Sequence, residues 1–99
     1  DRIIMDQYVT NSWNQEGTDY VRVEVVVTNV GSALLNDIMV DDSQLKPYQT
    51  QLWGAKQGEK GISFPSYQSS LLSGQNCTFG YIAKLSEPAQ IWIRNIEII

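Results

Sequence analysis

The segment Val21-Arg22-Val23-Glu24-Val25-Val26-Val27 decides the fold class, because its valines recur at every second position. Successive side chains of a strand point to opposite faces, so this spacing predicts a strand with one buried face. Val, Ile and Thr together number 23, while Ala and Leu number 11. Branched side chains fit a pleated sheet better than a helix, and the composition therefore favours strands throughout the chain.

Period-two patterns continue on both sides of this segment. Cys77, Phe79 and Tyr81 share one parity, which predicts a set of side chains that face the core. Near the end of the chain the apolar positions change parity around Arg94-Asn95, which indicates a β-bulge or a switch of face. The loop Asn14-Gln15-Glu16-Gly17 is short enough to join the first two strands as an antiparallel hairpin.

These patterns predict a fold of short strands without a long helix. We expect strands near residues 2–13, 18–29, 35–43, 50–54, 61–65, 75–84 and 89–98, and at most one helical turn, over 68–72. Strands at this spacing are typical of an all-β protein, an antiparallel β-sandwich. A chain of 99 residues has room for one such domain, over residues 1–99.

Composition excludes several kinds of function. The chain has no His and one Cys, which rules out a Ser-His-Asp site, a His-ligated metal, an internal disulfide and a thiolate zinc cluster. We therefore expect no cofactor and no metal site. Seven Lys and Arg against eleven Asp and Glu give a net charge of −4, which disfavours nucleic acid as a partner. No apolar stretch is long enough to span a membrane.

The carboxylates offer no credible acid–base pair, so we expect no enzyme activity. Asp41 and Asp42 are the adjacent pair, and adjacent strand residues point to opposite faces. Together with Asp37, they fit a solvated edge or loop better than the paired carboxylates of a glycosidase or the ligands of a calcium loop.

Asn76-Cys77-Thr78 is an N-glycosylation sequon with Asn76 as the acceptor, and it is compatible with a secreted protein. We expect Cys77 itself to face the core as a small apolar residue. The chain opens with Asp1 rather than Met, which is typical of a processed protein or an excised domain.

Four aromatic residues beside turns are candidates for a binding surface. Trp13 and Tyr20 flank the predicted hairpin turn, and Trp53 and Tyr67 also lie next to turn residues. A β-linked glucose chain presents axial C–H groups that can stack on such rings and hide apolar area from water. Fifteen Asn and Gln supply neutral partners for sugar hydroxyls. Those nearest the rings are Asn11, Asn14, Gln15 and Gln51.

Burial in the core is the alternative for each of these rings. Trp13 and Trp53 fit a core anchor between two sheets as well as they fit a surface position. Tyr20 has the parity opposite to the alternating valines, so we expect it to point outward. Tyr67 lies in a loop and fits either side. The pattern leaves three other aromatic residues unassigned: Tyr8, Tyr48 and Trp92.

A set of short segments, taken in their order and spacing, resembles one known family. The segments are Thr10-Asn11-Ser12-Trp13, Tyr20, Val26-Val27-Thr28-Asn29, Leu52-Trp53-Gly54, Phe64-Pro65-Ser66-Tyr67, Gly74 and Phe79-Gly80-Tyr81-Ile82. They are similar to carbohydrate-binding module family 49, over about residues 4–98. That family is the C-terminal cellulose-binding module of certain plant family 9 endoglucanases, and related modules occur in cellulose-binding wall proteins of amoebae and slime moulds.

The resemblance implies a β-sandwich that binds crystalline cellulose without cleaving it. The family's proposed aromatic platform corresponds by position to Trp13, Tyr20, Trp53 and Tyr67. The last position is usually Trp in plant members, and the smaller Tyr ring buries less area. Residues 41–51 also depart from the plant pattern, in which a Gly-Pro pair precedes Leu-Trp-Gly.

The implied partner is cellulose or another β-linked polysaccharide, with a linked catalytic domain or sister module in the same protein. The implied location is secreted, either extracellular or in a cell wall. The alternative function is a secreted protein-interaction or signalling domain of the same sandwich type, in which exposed Trp and Tyr would be interface hot spots. The fold alone does not separate these two functions, because β-sandwiches host many.

Overall fold

Residues 3–98 are described by a computed structural model, and they form strands, turns and loops without any helix. This part of the chain therefore has no helix that is long and apolar enough to cross a membrane. The eight strands are β1 (Ile3–Gln15), β2 (Thr18–Asn29), β3 (Leu35–Asp41), β4 (Gln49–Trp53), β5 (Lys56–Gly58), β6 (Gly61–Ser63), β7 (Asn76–Ala83) and β8 (Trp92–Ile98).

The strands form two four-stranded sheets. Sheet A has the order β1-β2-β7-β4, and sheet B has the order β5-β6-β3-β8. All strand pairs within the two sheets are antiparallel. The prediction of an all-β antiparallel sandwich is therefore confirmed.

All seven predicted strands occur, although residue 2 of the first predicted strand lies outside the described residues. The short strand β5 was not predicted, because its sequence Lys-Gln-Gly has no apolar alternation. The helical turn predicted over residues 68–72 is wrong. Leu71 is extended instead and forms an isolated bridge with Leu35, with two backbone hydrogen bonds of 3.0 and 2.8 Å.

The core lies between the inner faces of the two sheets. The valines of β2 at positions 21, 23, 25 and 27 are all fully buried, as their alternation predicts. They pack with Phe79 and Tyr81 of β7, and sheet B contributes Ile38, Val40 and Ile62 from the opposite side. Because β2 and β7 are the central strands of sheet A, their outward-facing residues form the middle of its outer face.

A partly buried hydrogen-bond network surrounds the hydroxyl of Tyr81. The Tyr81 hydroxyl donates to Oε1 of Gln7 on β1 at 2.7 Å and accepts from the backbone N–H of Ala89 at 2.9 Å. Nε2 of Gln7 in turn donates to the Ala89 carbonyl at 2.8 Å. The three bonds join β1, β7 and the loop before β8, and they satisfy the polar end of a fully buried Tyr side chain.

The antiparallel β1–β2 hairpin is confirmed, but its turn is two residues long and shorter than the predicted loop over residues 14–17. Glu16 and Gly17 occupy the turn with φ values of 53° and 83°. Positive φ at both central positions defines a type I′ turn, whose twist matches the twist of the flanking strands. The side chain of Asn14 supports the turn, because its Oδ1 accepts a hydrogen bond from the Gly17 N–H at 3.2 Å.

Candidate functional site

Trp13 and Tyr20 form a stacked pair on the outer face of sheet A. They lie directly opposite each other on β1 and β2, where the hairpin pairs the two strands. Their ring centroids are 5.5 Å apart and their planes differ by 6°. This is an offset stack, in which each ring covers part of one face of the other.

Trp13 faces outward because β1 contains a β-bulge. Val9 pairs with Val23 and Asn11 pairs with Arg22, so Thr10 is an extra residue on β1. Counting by twos from Val9 would place Trp13 on the core side, and the extra residue reverses that parity. Trp13 is accordingly 38% exposed, which resolves the choice between core and surface in favour of the surface.

Trp53 lies across the middle of the same face. It ends β4, pairs with Gly80 of β7 and is 36% exposed. A Cβ atom on residue 80 would lie only 2.5 Å from Cε2 and Cζ2 of the indole. The absence of a side chain at Gly80 therefore lets the indole rest directly on the backbone of β7.

Arg22 connects the stacked pair with Trp53. It follows Tyr20 by two positions on β2 and so shares its face. Its guanidinium carbon lies 5.0 Å from the centroid of the Trp53 ring, within the range of a cation–π interaction. The outward position predicted for Tyr20 from parity agrees with this arrangement. Trp13, Tyr20, Arg22 and Trp53 are called the aromatic face below.

Tyr8 is an additional aromatic residue on this side that the sequence pattern did not single out. It pairs with Glu24 on β2, and Glu24 pairs with Gly80 on β7. One row across the sheet therefore runs from Tyr8 to Trp53, and Tyr8 is 54% exposed. Its parity, opposite to the inward-facing Ile3 and Met5, was the signal that could have identified it.

Tyr67 is separate from the aromatic face. It lies outside both sheets, in the loop between β6 and β7, and it is 83% exposed. The structure thus brings together three of the four predicted rings on one sheet and places the fourth on a loop. Trp92, which the pattern left unassigned, is exposed on β8 of the other sheet.

Polar groups lie beside the rings. A shallow cleft of about 210 Å³ is bounded by Trp13, Tyr20, Ser12, Asp19 and Ser86. Two hydroxyls and one carboxylate therefore border the stacked pair. Asn11 and Gln51 lie in the row of Arg22, on β1 and on edge strand β4. These neutral amides can donate and accept hydrogen bonds at the border of the rings.

The carboxylates that were weighed for catalysis are occupied in local structure. Asp37 Oδ1 accepts from the backbone N–H groups of Ile38 and Phe64, at 2.7 and 3.0 Å. The hydroxyl and then the N–H of Ser43 lower the pKa of Asp41 through hydrogen bonds, more strongly than burial raises it.

The prediction that Asp42 lies on a solvated edge or loop is wrong, because its side chain is buried. Its Oδ2 accepts a 2.7 Å hydrogen bond from Nε2 of Gln57 on β5. The carboxylate therefore ties β5 to the residue that follows β3. Gln57 also exchanges side-chain hydrogen bonds of 2.8 Å with Gln49, and this amide pair joins β5 to β4. Across residues 3–98, no three Cys, Asp or Glu side chains are grouped to hold a metal ion.

A second hollow, of about 460 Å³, lies on the outer side of sheet B. Charged and amide side chains line it, among them Asp37, Lys60, Arg94 and Glu97, and Arg94 donates to the carbonyl of Lys60 at 2.6 Å. No aromatic ring borders this hollow. The aromatic face of sheet A is therefore the better candidate for stacking a sugar ring.

Comparison with known proteins identifies the family of the chain. The family model described as carbohydrate binding domain CBM49 matches residues 3–84. The chain is 32% identical over 96 residues to endoglucanase 19 of Arabidopsis thaliana and 25% identical over 99 residues to endoglucanase 2 of Oryza sativa subsp. japonica. It is 34% identical over 86 residues to spore germination protein 270-11 of Dictyostelium discoideum.

These alignments cover 97%, 96% and 84% of the chain, respectively, but only 15% of each relative. The chain thus corresponds to a small part of each of these longer proteins. No solved structure matches it significantly. Since the family model covers residues 3–84, from β1 to the end of β7, the chain belongs to the CBM49 family of carbohydrate-binding domains.

Proposed function

We propose that this module adsorbs to cellulose or a related β-glucan by stacking sugar rings on the aromatic face of sheet A. The observation that carries the proposal is the placement of Trp13, Tyr20 and Trp53 on one outer face, each with part of its ring in solvent. Stacking a pyranose on an indole removes apolar area of both partners from water. The hydroxyls at the edge of the sugar then face neutral amides such as Asn11 and Gln51.

Two further tyrosines extend the proposed surface in different ways. Tyr8 lies in the row of Trp53 and would contact a polysaccharide surface that spans the width of the sheet. Tyr67 belongs to a loop, and we propose it as an outlying contact that contributes less than the rings of sheet A.

Adsorption to microcrystalline cellulose tests the proposal, with Trp53→Ala as the decisive variant. We expect a loss of about 0.5–1.5 kcal/mol, the typical value of an aromatic stack, which corresponds to about two- to tenfold weaker adsorption. Trp92→Ala is the matched control, because it removes an exposed indole from the other sheet. It should adsorb as the wild type does.

Two outcomes would contradict this function. The first is a wild-type protein that stays in the supernatant with cellulose, with other β-glucans and with chitin. The second is equal adsorption of Trp53→Ala and wild type when both have the same circular dichroism spectrum. Retention by a protein partner without polysaccharide would instead support the alternative of a protein-interaction domain.

The wider context of the module is proposed on the same basis. A non-catalytic module that adsorbs to a wall polysaccharide would act in a secreted protein, in the extracellular space or the cell wall. Two of the relatives are endoglucanases, which supports a linked catalytic domain in the parent protein. We also propose that residues 1–99 form one carbohydrate-binding domain, because both sheets share one core.

A further inference from the structure

The glycosylation sequon lies on the same face as the aromatic residues. Asn76 opens β7 and pairs with Thr28 of β2, and it is exposed. Thr78, the third sequon residue, is also exposed. Positions 76, 78 and 80 share a parity opposite to the core-facing Phe79, so the side chain of Asn76 shares the outer face with the indole that rests on Gly80.

The sequon is near one end of the aromatic face and far from the other. Asn76 and Gly80 are four positions apart on β7, which is about 13 Å at about 3.3 Å per residue. Thr28, the partner of Asn76, and Tyr20 are eight positions apart on β2, or about 26 Å at the same rise. A substituent on Asn76 would thus stand beside Trp53 while the stacked pair stays clear of it.

We propose that Asn76 carries an N-linked glycan that weakens docking of the aromatic face onto a flat crystalline polysaccharide and leaves binding of a single chain unchanged. This inference rests on the proposed function. A glycan is bulky and hydrated, and it would hold a flat ligand away from Trp53. A single chain needs no such clearance, since it can run from Trp13 and Tyr20 to Trp53 without crossing Asn76.

The modification is a glycosyl transfer from a lipid-diphosphate-linked oligosaccharide supplied by the secretory host. The amide nitrogen of Asn76 forms a bond to the anomeric carbon of the oligosaccharide. The bond from that carbon to the diphosphate oxygen breaks, the lipid diphosphate leaves, and the amide nitrogen gives up one proton.

The experiment compares the chain secreted by a eukaryotic host with the chain made in bacteria, which carries no glycan. Mass spectrometry measures occupancy of Asn76, and Asn76→Gln is made in both hosts. Adsorption to microcrystalline cellulose and binding to soluble hydroxyethylcellulose are measured for each form. Trimming the glycan with an endoglycosidase to its first sugar provides a control on the same polypeptide.

We expect the glycosylated protein to adsorb to crystalline cellulose about threefold or more weakly than its trimmed form, with unchanged affinity for the soluble chain. Asn76→Gln should adsorb equally from either host, because neither form carries a glycan. An unoccupied Asn76 in the eukaryotic host would overturn the inference. So would equal adsorption of the glycosylated and trimmed forms, or an equal loss of binding to soluble chains.

The bacterial protein separates this inference from the function on which it rests. If that unglycosylated form fails to bind any of the polysaccharides, the proposed function is wrong, and the inference falls with it. If it binds and glycosylation leaves crystalline adsorption unchanged, only the inference is wrong.

Discussion

The position of the Trp53 indole on the aromatic face depends on the neighbouring Gly80. The indole occupies the space above residue 80, with Cε2, Cζ2 and Nε1 within 2.6 Å of where a Cβ would be. Arg22 lies 5.0 Å from the ring centroid and helps to fix its position. The orientation of the ring thus depends on a residue with no side chain of its own, on a neighbouring strand.

Gly80→Ala should therefore displace the Trp53 indole and weaken adsorption to cellulose by about two- to tenfold, as loss of the stack would. The backbone of Gly80 has no positive φ that would strain an alanine, so circular dichroism should stay unchanged. Gly58→Ala is the control, because a Cβ there meets nothing within 4 Å. Wild-type adsorption by Gly80→Ala would show that the indole position is not required.

Tyr81 is fully buried in the core, so we expect its hydroxyl to affect stability rather than binding. Tyr81→Phe removes a hydroxyl that donates to Gln7 and accepts from Ala89, and it leaves two polar groups without that partner. We expect a loss of about 1–3 kcal/mol in the free energy of unfolding, measured in urea. Adsorption should remain unchanged, and the exposed Tyr48→Phe should not affect stability. An equal stability of Tyr81→Phe and wild type would mean that the network contributes nothing net.

The Tyr81 hydroxyl should also make the free energy of unfolding depend on pH in alkaline solution. Burial raises the pKa of the Tyr81 hydroxyl, and the hydrogen bond from Ala89 acts in the opposite direction. Below about pH 10, the usual Tyr pKa, the hydroxyl is protonated in both the folded and the unfolded states. It therefore adds no pH dependence to the free energy of unfolding. Above that pH the unfolded state loses its proton first, so stability falls until the pH passes the raised pKa of the folded state.

The free energy of unfolding should thus decrease less steeply above about pH 10 in Tyr81→Phe than in the wild type. Urea unfolding at a series of pH values measures both slopes. Parallel slopes would show that other groups account for alkaline unfolding.

At the scale of elements, the β1–β2 hairpin carries both the turn and the stacked pair. Gly17 has a φ of 83°, and a Cβ there meets nothing within 4 Å. Gly17→Ala should therefore lose about 1–2 kcal/mol of stability from the left-handed backbone alone. At Gly58 a Cβ also meets nothing within 4 Å, but the backbone has no positive φ. Gly58→Ala should therefore leave the free energy of unfolding almost unchanged. Equal effects of the two substitutions in urea unfolding would contradict this account.

Two β-bulges show what the sequence can and cannot predict about an element. The parity change around Arg94-Asn95 predicted either a bulge or a switch of face. The register decides for a bulge, because Arg94 is an extra residue between the partners of Met39 and Val40. The bulge at Thr10 was not predicted, since threonine fits a regular strand and exposed residues follow it. The outward position of Trp13 depends on that second bulge, so the sequence left core and surface open.

At the scale of the whole molecule, the strand pattern predicted the sandwich but not the arrangement of its faces. The alternating valines of β2 identify a core-facing side without any knowledge of the partner strands. The pairing of Trp53 with Gly80 depends on contacts between β4 and β7, which are far apart in the chain. The alternation of apolar residues shows which side of a single strand faces the core. Which side chains of different strands lie next to each other on the outer face depends on the register between the strands.

The net charge of the whole molecule predicts that neutral polysaccharides bind more tightly than anionic ones. The net charge is −4, and the outer face of sheet A carries the carboxylates of Asp6 and Glu24 near the guanidinium of Arg22. Stacking on a neutral β-glucan involves no net charge, so its strength should be nearly independent of salt. A carboxymethylated cellulose would instead be repelled by the net negative charge and by these carboxylates.

Calorimetric titration with hydroxyethylcellulose should therefore give affinities within about twofold of each other from about 0.01 M to about 1 M NaCl, where the screening length falls from about 30 Å to about 3 Å. Carboxymethylcellulose should bind more weakly at low salt and approach the neutral polymer as salt rises, because screening removes the repulsion. Glu24→Gln should reduce that salt effect without altering the affinity for the neutral chain. A steep loss of hydroxyethylcellulose binding with salt would show that Arg22, rather than the stacked rings, carries the interaction.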